Sequence, residues 1–205
     1  MLTKLISELT PDETDRLLNR GKGQLSGVTQ SVVSIMEDVK KNGDEALLRL
    51  TQQFDKAVIK DIEVSRKEID LALTAVDEKV IIHLRKAAND IREYHQAQMS
   101  KDWTTEFSPG LIMGQHISPL DSVGAYVPGG RATYPSTALM TVIPAKIAGV
   151  KMVVVCTPPK QDGSVNPLTL AAASIAGADR VFRIGGVQAI AAMAYGQRPS
   201  RRWIR

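Results

Sequence analysis

The segment from residue 123 to residue 159 constrains the fold of this chain more than any other. Two short apolar runs, Val123 to Val127 and Met152 to Cys156, are typical of strands, and each is followed by prolines or glycines. Between the runs, apolar residues recur at helical spacing, at Leu139, Met140, Ile143 and Ile147. A strand, a glycine loop, a helix and a strand form a βαβ unit, whose ligand edge is the carboxyl end of its strands.

The ends of the helix within this unit can also be predicted. We expect Ser136 or Thr137 to cap its N-terminus, because their hydroxyl groups accept hydrogen bonds from free backbone N–H groups. Gly149 is expected just after the last helical residue, in a left-handed conformation. Pro144 lies inside the helical pattern, and we expect it to kink or shorten the helix.

The alternation of strands and helices continues to residue 196. Asn166 and Pro167 are typical of a helix start, as cap and first helical residue. Val181 to Ile184 predicts a third strand, and Gly185-Gly186 precedes a predicted helix from Val187 to Tyr195. The order β-α-β-α-β-α predicts an α/β fold with a Rossmann-like parallel sheet and right-handed crossovers. The Gly-x-Gly-x-x-Gly motif of conventional dinucleotide sites is missing from this sequence.

Residues 1–104 are predicted to form a helical N-terminal region. Helix starts or caps are expected at Thr10, Asp44, Ser65 and Asp77. Residues 105–122 follow as a β-hairpin connector that runs to Ile117 before it turns into the sheet. The remaining parts are the Rossmann-like sheet region at 123–196 and a basic tail at 197–205.

Composition limits the classes of protein to which this chain can belong. Hydrophobic residues make up 43% of the sequence, but no run approaches the ~20 apolar residues that cross a bilayer. The single cysteine excludes an intrachain disulfide, and without a signal peptide we expect a cytoplasmic protein. The net charge of +4 comes from the tail, because 22 basic and 22 acidic residues remain without its four arginines. We therefore expect neither a nucleic-acid partner nor a membrane.

Two loops are expected at the ligand edge of the sheet, Tyr126 to Pro135 and Gly185 to Gln188. Tyr126 could stack on a nucleotide or form a hydrogen bond with it, and the Gln188 amide can both donate and accept. Free backbone N–H groups at the helix start favour an anionic or polar ligand. Tight turns without any ligand explain the same glycines, and the residues alone leave both interpretations open.

The other reactive side chains are predicted to have structural roles. Cys156, at the end of a strand, could attack an aldehyde, but no neighbouring base is evident and a buried structural cysteine is favoured. His83 and His95 lie too far apart on one helix to form a local metal pair. His116 is assigned to the hairpin.

One continuous motif resembles the signature of a known family. The run Tyr126-Val127-Pro128-Gly129-Gly130-Arg131-Ala132-Thr133-Tyr134-Pro135-Ser136 is followed by Leu139-Met140, Ile143-Pro144-Ala145 and Ala148-Gly149-Val150. In order and spacing, this resembles histidinol dehydrogenase, and the resemblance extends to Gly196. It implies an NAD-dependent and zinc-dependent homodimer that oxidises L-histidinol through L-histidinaldehyde to L-histidine, in the last step of histidine biosynthesis.

The resemblance also implies which positions bind the cofactor. In this family the tyrosine of Tyr-Val-Pro-Gly-Gly and the glutamine of Gly-Gly-Val-Gln-Ala-Ile contact NAD, and they match Tyr126 and Gln188. The family's zinc ligands and its Glu-His acid–base pair lie downstream of the matched region. No catalytic or metal-binding residue is therefore predicted within this chain.

The resemblance ends at Gly196, and the residues after it are rich in arginine. We interpret the chain as the amino-terminal part of a histidinol dehydrogenase, truncated or frameshifted, and we expect it to be inactive alone. Two alternatives remain open. One is a non-catalytic nucleotide-binding or dimerisation module, and the other is a related NAD-dependent dehydrogenase of another small polar alcohol.

Overall fold

The computed structural model describes residues 5–19, 22–129 and 132–196. The predicted basic tail at 197–205 lies outside the described residues, as do Gly130 and Arg131 of the predicted glycine loop. Across the described residues, no helix is long and apolar enough to cross a membrane.

In the described residues, a single 3-10 turn and five α-helices precede the first strand. The helices are α1 (Pro11–Leu18), α2 (Lys22–Asn42), α3 (Asp44–Asp55), α4 (Arg66–Ala75) and α5 (Glu78–Ala97). Thr10 and Ser65 each form a capping box, and the Asp77 side chain caps α5, so these three predicted helix starts are confirmed.

The start of α3 differs from the prediction by one residue. Asp44 is the first residue inside this helix, and Gly43 takes the cap position instead. Gly43 has a φ of 57°, which glycine adopts without steric cost, and this conformation turns the chain sharply between α2 and α3. The acidic side chain then lies in the first turn, where the helix dipole favours it.

The predicted hairpin is formed by β1 (Trp103–Ser108) and β2 (Leu111–Gln115), which pair in antiparallel fashion. Gly110 occupies its turn with a φ of 81°. β2 ends before the predicted Ile117, because the N–H of Ile117 donates to Oδ1 of Asp102 at 2.8 Å. Every residue of both strands is exposed.

Three strands of the described chain form the predicted parallel sheet in sequence order. They are β3 (Ser122–Tyr126), β4 (Met152–Cys156) and β5 (Arg180–Phe182). β5 ends two residues earlier than predicted. After β4 the N–H of Thr157 still donates to the carbonyl of Phe182 at 3.0 Å, but Pro158 and Pro159 have no N–H group with which to continue the pairing.

The outer edge of β5 is covered by a segment that the sequence did not predict to be extended. This segment, residues 62–64, lies antiparallel to β5. The N–H of Val64 donates to the carbonyl of Val181, and the N–H of Arg183 donates to the carbonyl of Ile62, both at 2.8 Å. The pairing satisfies backbone groups that an open edge would leave free.

Three helices follow the strands in the described chain: α6 (Pro135–Ile147), α7 (Pro167–Ala176) and α8 (Gly186–Tyr195). α6 begins at Pro135, so Ser136 and Thr137 lie inside its first turn and the predicted caps are wrong. Proline suits the first helical position because its φ is already helical and its missing N–H needs no partner there.

Pro144 lies in the second half of α6 and does not shorten the helix, while the kink expected there stays a prediction. The helix continues through this proline to Ile147, because only one backbone hydrogen bond is lost and the neighbouring Ile143 is buried in the core. Gly149 ends the helix as predicted, with a φ of 91°. The N–H of Gly149 donates to the carbonyl of Lys146 at 3.1 Å, which satisfies one of the last helical carbonyls.

Helices pack on both faces of the sheet and bury its central strand. Val153 and Val155 of β4 belong to a core cluster shared with α4, α5, α6 and α7. Val154 and Cys156 point to the opposite cluster, shared with α2, α3 and α8. This explains why β4 is apolar throughout, as parallel strands covered on both faces are. The division into a helical region at 1–104, a connector at 105–122, a sheet region at 123–196 and a tail at 197–205 stays a prediction.

Candidate cofactor site

The two predicted ligand loops meet at one end of the sheet. Tyr126 is the last residue of β3, and its hydroxyl oxygen accepts a hydrogen bond from the N–H of Gly186, at 3.1 Å. Gly186 is the first residue of α8, so this bond reaches across the carboxyl end of β4. Because the hydroxyl group accepts this bond, its own hydrogen is available to a further acceptor.

Gln188 lies two residues further along α8, but the structure buries it more deeply than the sequence suggested. Only 1% of the residue is exposed. Its Nε2 atom has no hydrogen-bond partner among the described residues. An unpaired buried amide costs about 1–3 kcal/mol, and such groups in native proteins call for a specific explanation.

Glycines let the two loops close around Pro158. A Cβ atom built on Gly185 would lie 2.6 Å from Cβ of Pro158, and one built on Gly129 would lie 2.8 Å from its Cγ. Both distances are shorter than any non-bonded carbon contact allows. Gly186 has a φ of 60°, which also favours glycine. The glycines thus allow close packing at this edge. Close packing is what the interpretation as tight turns without a ligand requires.

A cavity of about 480 Å³ opens on the Gly129 side of Pro158. It lies between the end of α3, the loop that follows β3 and the loop that precedes α7, and its lining includes Asp55, Thr133 and Asn166. Nδ2 of Asn166 donates to Oγ1 of Thr133 at 3.1 Å, while its Oδ1 caps α7. The volume is in the range of small-molecule sites.

Asp55, the last residue of α3, is the polar group in this cavity that sequence reasoning missed. Its Oδ2 atom is buried and has no hydrogen-bond partner within the described chain. Burial raises the pKa of this carboxyl above its ordinary value. A single acid at the end of a helix carries no sequence signal, because only the folded chain shows that α3 ends beside the ligand edge.

Cys156 is a buried structural residue, as predicted. Its exposure is 0%, and burial raises the pKa of its thiol to about 12. The thiol is therefore protonated at neutral pH, whereas a nucleophile must be a thiolate. The side chain belongs to the same core cluster as Val154 and Phe182.

The three histidines do not come together with other metal ligands. His83 is exposed and His95 is half-buried on α5, while Nδ1 of His116 lies 2.5 Å from Oδ2 of Asp102 beside the hairpin. Among the described residues, no group of three or more His, Cys, Asp and Glu side chains could hold a metal ion. The zinc implied by the resemblance therefore finds no fit in this part of the chain.

Comparison with known proteins gives one consistent result. The family model for histidinol dehydrogenase matches residues 18–202. Curated histidinol dehydrogenases from Methanosarcina mazei and Methanothermobacter thermautotrophicus are 54% and 48% identical to this chain, over 96% of its length. The crystal structure of histidinol dehydrogenase from Elizabethkingia anophelis superimposes with a TM-score of 0.83 at 35% identity, covering 92% of this chain.

The matches also define how much of a whole protein is present. This chain spans 45% of the relative from Methanosarcina mazei and 43% of the crystallised protein. Within that span the crystallised protein shares the fold, and the range matched by the family model includes the motif that begins at Tyr126. On this evidence the chain belongs to the histidinol dehydrogenase family.

Proposed function

We propose that the whole protein to which this chain corresponds is a histidinol dehydrogenase. It oxidises L-histidinol through L-histidinaldehyde to L-histidine, with NAD as the electron acceptor and zinc as a second cofactor, as a cytoplasmic homodimer. This chain contributes part of the NAD edge. The observation that carries the assignment is the Tyr126–Gly186 hydrogen bond, close to the Gln188 amide nitrogen that has no partner in the described part of the chain.

The donors and acceptors at this edge suit a dinucleotide. Tyr126 fixes the first turn of α8 and keeps a hydroxyl hydrogen for a ligand oxygen. Gly185 is the cap residue of α8 and has no side chain that could occupy the helix start. The backbone N–H groups at that position favour phosphate. The Gln188 amide supplies one more donor, because its Nε2 atom has no partner within the described residues. Bound NAD would accept a hydride from the substrate.

The chain's own residues act here by binding and orientation alone. Tyr126 links β3 to α8, so it holds the two loops at a fixed separation while a ligand binds between them. Pro158 packs between Gly129 and Gly185 and excludes water from that contact. Zinc is assigned no residue and no step in this chain, because the described side chains do not form a site for it.

Titration of the 205-residue chain with NAD tests this proposal. We expect Tyr126→Phe and Gln188→Ala each to weaken NAD binding by about twofold to tenfold, the effect of one neutral hydrogen bond. Tyr94→Phe is the matched control, since Tyr94 lies on α5 and is 62% exposed. If both variants bind NAD as tightly as the original chain, the cofactor assignment is wrong.

Activity separates the family function from its alternatives. We expect no NADH formation when the 205-residue chain is incubated with L-histidinol, NAD and zinc, and this stays a prediction. The whole protein should form NADH from L-histidinol in preference to other small amino alcohols. Faster turnover of a different alcohol would favour the related dehydrogenase, and NAD binding without turnover of any alcohol by the whole protein would favour a binding module.

A further inference from the structure

The cavity beside Gly129 is lined by the side chain of Asp55, whose buried oxygen lacks a donor within the described ranges. Oδ2 of Asp55 is buried and unpartnered among the residues that the structure describes. The neighbouring polar groups do not compensate for it, because Asn166 donates to Thr133 instead. A buried carboxylate oxygen without a donor is costly, so a ligand that brings a donor would be favoured there.

The chemistry of the cavity narrows the class of ligand. A carboxylate with free lone pairs accepts from hydroxyl or amino groups. Lys160 also lines the cavity, so a purely cationic ligand would be placed against a like charge. Thr133 and Thr157 add hydroxyl groups to the lining. A neutral, hydroxyl-rich group such as a ribose meets these conditions.

Pro158 connects the cavity to the edge that holds Tyr126 and Gln188. Pro158 lines the cavity, and Gly129 and Gly185 both pack closely against its ring. Gly185 in turn precedes the residue whose N–H donates to Tyr126. A dinucleotide is long enough to lie across Pro158, with one half at the start of α8 and the other half in the cavity.

We propose that Asp55 accepts hydrogen bonds from the ribose hydroxyl groups of the adenosine half of NAD, and that it selects NAD over NADP. This inference rests on the proposed function. A ribose 2′-hydroxyl donates to the carboxylate, whereas the 2′-phosphate of NADP would place negative charge against it. Asp55 is thus a specificity residue that touches the cofactor and takes no part in the chemical step.

The test compares Asp55→Asn with Asp61→Asn, an exposed acid six residues further along the chain that lies outside this cavity. Dissociation constants for NAD and NADP are measured by calorimetry on the 205-residue chain, together with melting temperatures. We expect Asp55→Asn to weaken NAD binding by about tenfold to a hundredfold, the effect of a hydrogen bond to a charged group. The dissociation constant for NADP should change less, so the ratio between the affinities for NAD and NADP should become smaller.

Stability separates a ligand-binding role from a structural one. Asp55→Asn should melt at or above the temperature of the original chain at pH 7, because it removes the charge from a half-buried carboxylate whose Oδ2 has no donor in the described chain. A lower melting temperature, or unchanged NAD binding while Gln188→Ala still weakens it, would overturn the inference and leave the proposed function intact. Failure of the original chain to bind NAD would overturn both. Asp61→Asn should change none of these values.

Discussion

The parallel sheet and the antiparallel hairpin have similar apolar strands but opposite environments. β4 is buried from Val153 to Cys156, whereas β2 contains Leu111, Ile112 and Met113 and is exposed along its whole length. Both segments were recognisable as strands from local sequence. Strand formation therefore depends on local chemistry, while burial depends on which other elements pack against the strand.

The connections explain the difference between the two regions. The strands of the sheet are joined by helices, and the crossovers place those helices on its faces, where they cover it. The hairpin strands are joined by a tight turn at Gly110, so no helix lies between them. An exposed apolar surface of this kind is typical of contact with further protein, which agrees with the proposed homodimer.

The largest effect on stability is expected when one phenylalanine in each region is replaced by alanine. Phe182 in β5 is 1% exposed, and Phe107 in β1 is 56% exposed. We expect Phe182→Ala to lower the free energy of unfolding by about 3–5 kcal/mol, through lost burial and a cavity. Phe107→Ala is the matched control and should change it by less than about 0.5 kcal/mol. Equal losses in urea denaturation would show that the hairpin is buried in solution.

Glycine substitutions should give the next largest effects, for different reasons in the two regions. Gly185→Ala places a Cβ atom against Pro158, and we expect overpacking to cost about 1–3 kcal/mol. Gly110→Ala meets no atom within 4 Å, but its φ of 81° strains any other residue by about 1 kcal/mol. Thermal denaturation measures both losses, and only Gly185→Ala should also weaken NAD binding.

The ion pair at the outer edge of the sheet should make a smaller, pH-dependent contribution. The hydrogen bond from Arg180 holds the pKa of Glu63 below its ordinary value of 4.5. A depressed pKa adds stability that is present above the ordinary value and is lost as the pH falls through the folded-state pKa. Glu63→Gln should cost about 1 kcal/mol or less at pH 7, since both side chains are partly exposed.

The pH dependence provides the check on this ion pair. The difference in stability between the original chain and Glu63→Gln should shrink as the pH falls below 4.5, where the carboxylate becomes protonated. Glu93→Gln, on the exposed side of α5, is the matched control and should show no such trend. A difference that grows at acidic pH would contradict the assigned sign.

The smallest effect is expected at the base of the hairpin. Asp102 accepts a hydrogen bond from the N–H of Ile117, and this contact lowers the pKa of Asp102 with help from His116. Because the pair is exposed, Asp102→Ala should leave the melting temperature unchanged. Amide exchange at Ile117 should become faster, which hydrogen-exchange measurements would detect. A clear loss of global stability would mean that the hairpin is part of the core.

Local interactions explain which features of the fold were predictable. The capping boxes at Thr10 and Ser65 each depend on residues three positions apart, and the left-handed Gly149 depends on the turn around it. The start of α6 was misplaced because a hydroxyl residue and a proline compete for the same helix terminus, and Pro135 took the first position.

At the candidate site too, only the features that depend on local sequence could be predicted. Tyr126 and Gln188 were found from the motif, and the structure brings their loops together at the predicted edge. Their roles with NAD remain predictions. The burial of Gln188 and the position of Asp55 could not be predicted, because each depends on how helices pack around the sheet rather than on neighbouring residues.

The sequence by itself determined the order of helices and strands, the parallel sheet and the family, because these follow from periodicity, turn chemistry and an ordered motif. Only the tertiary structure decided which surfaces are covered by other parts of the chain. The Glu63–Arg180 pair joins residues 117 positions apart, and the edge of β5 is covered by a segment from the other half of the chain. Such contacts form only when the chain packs, and the residues around each partner in the sequence do not indicate which distant residue it will contact.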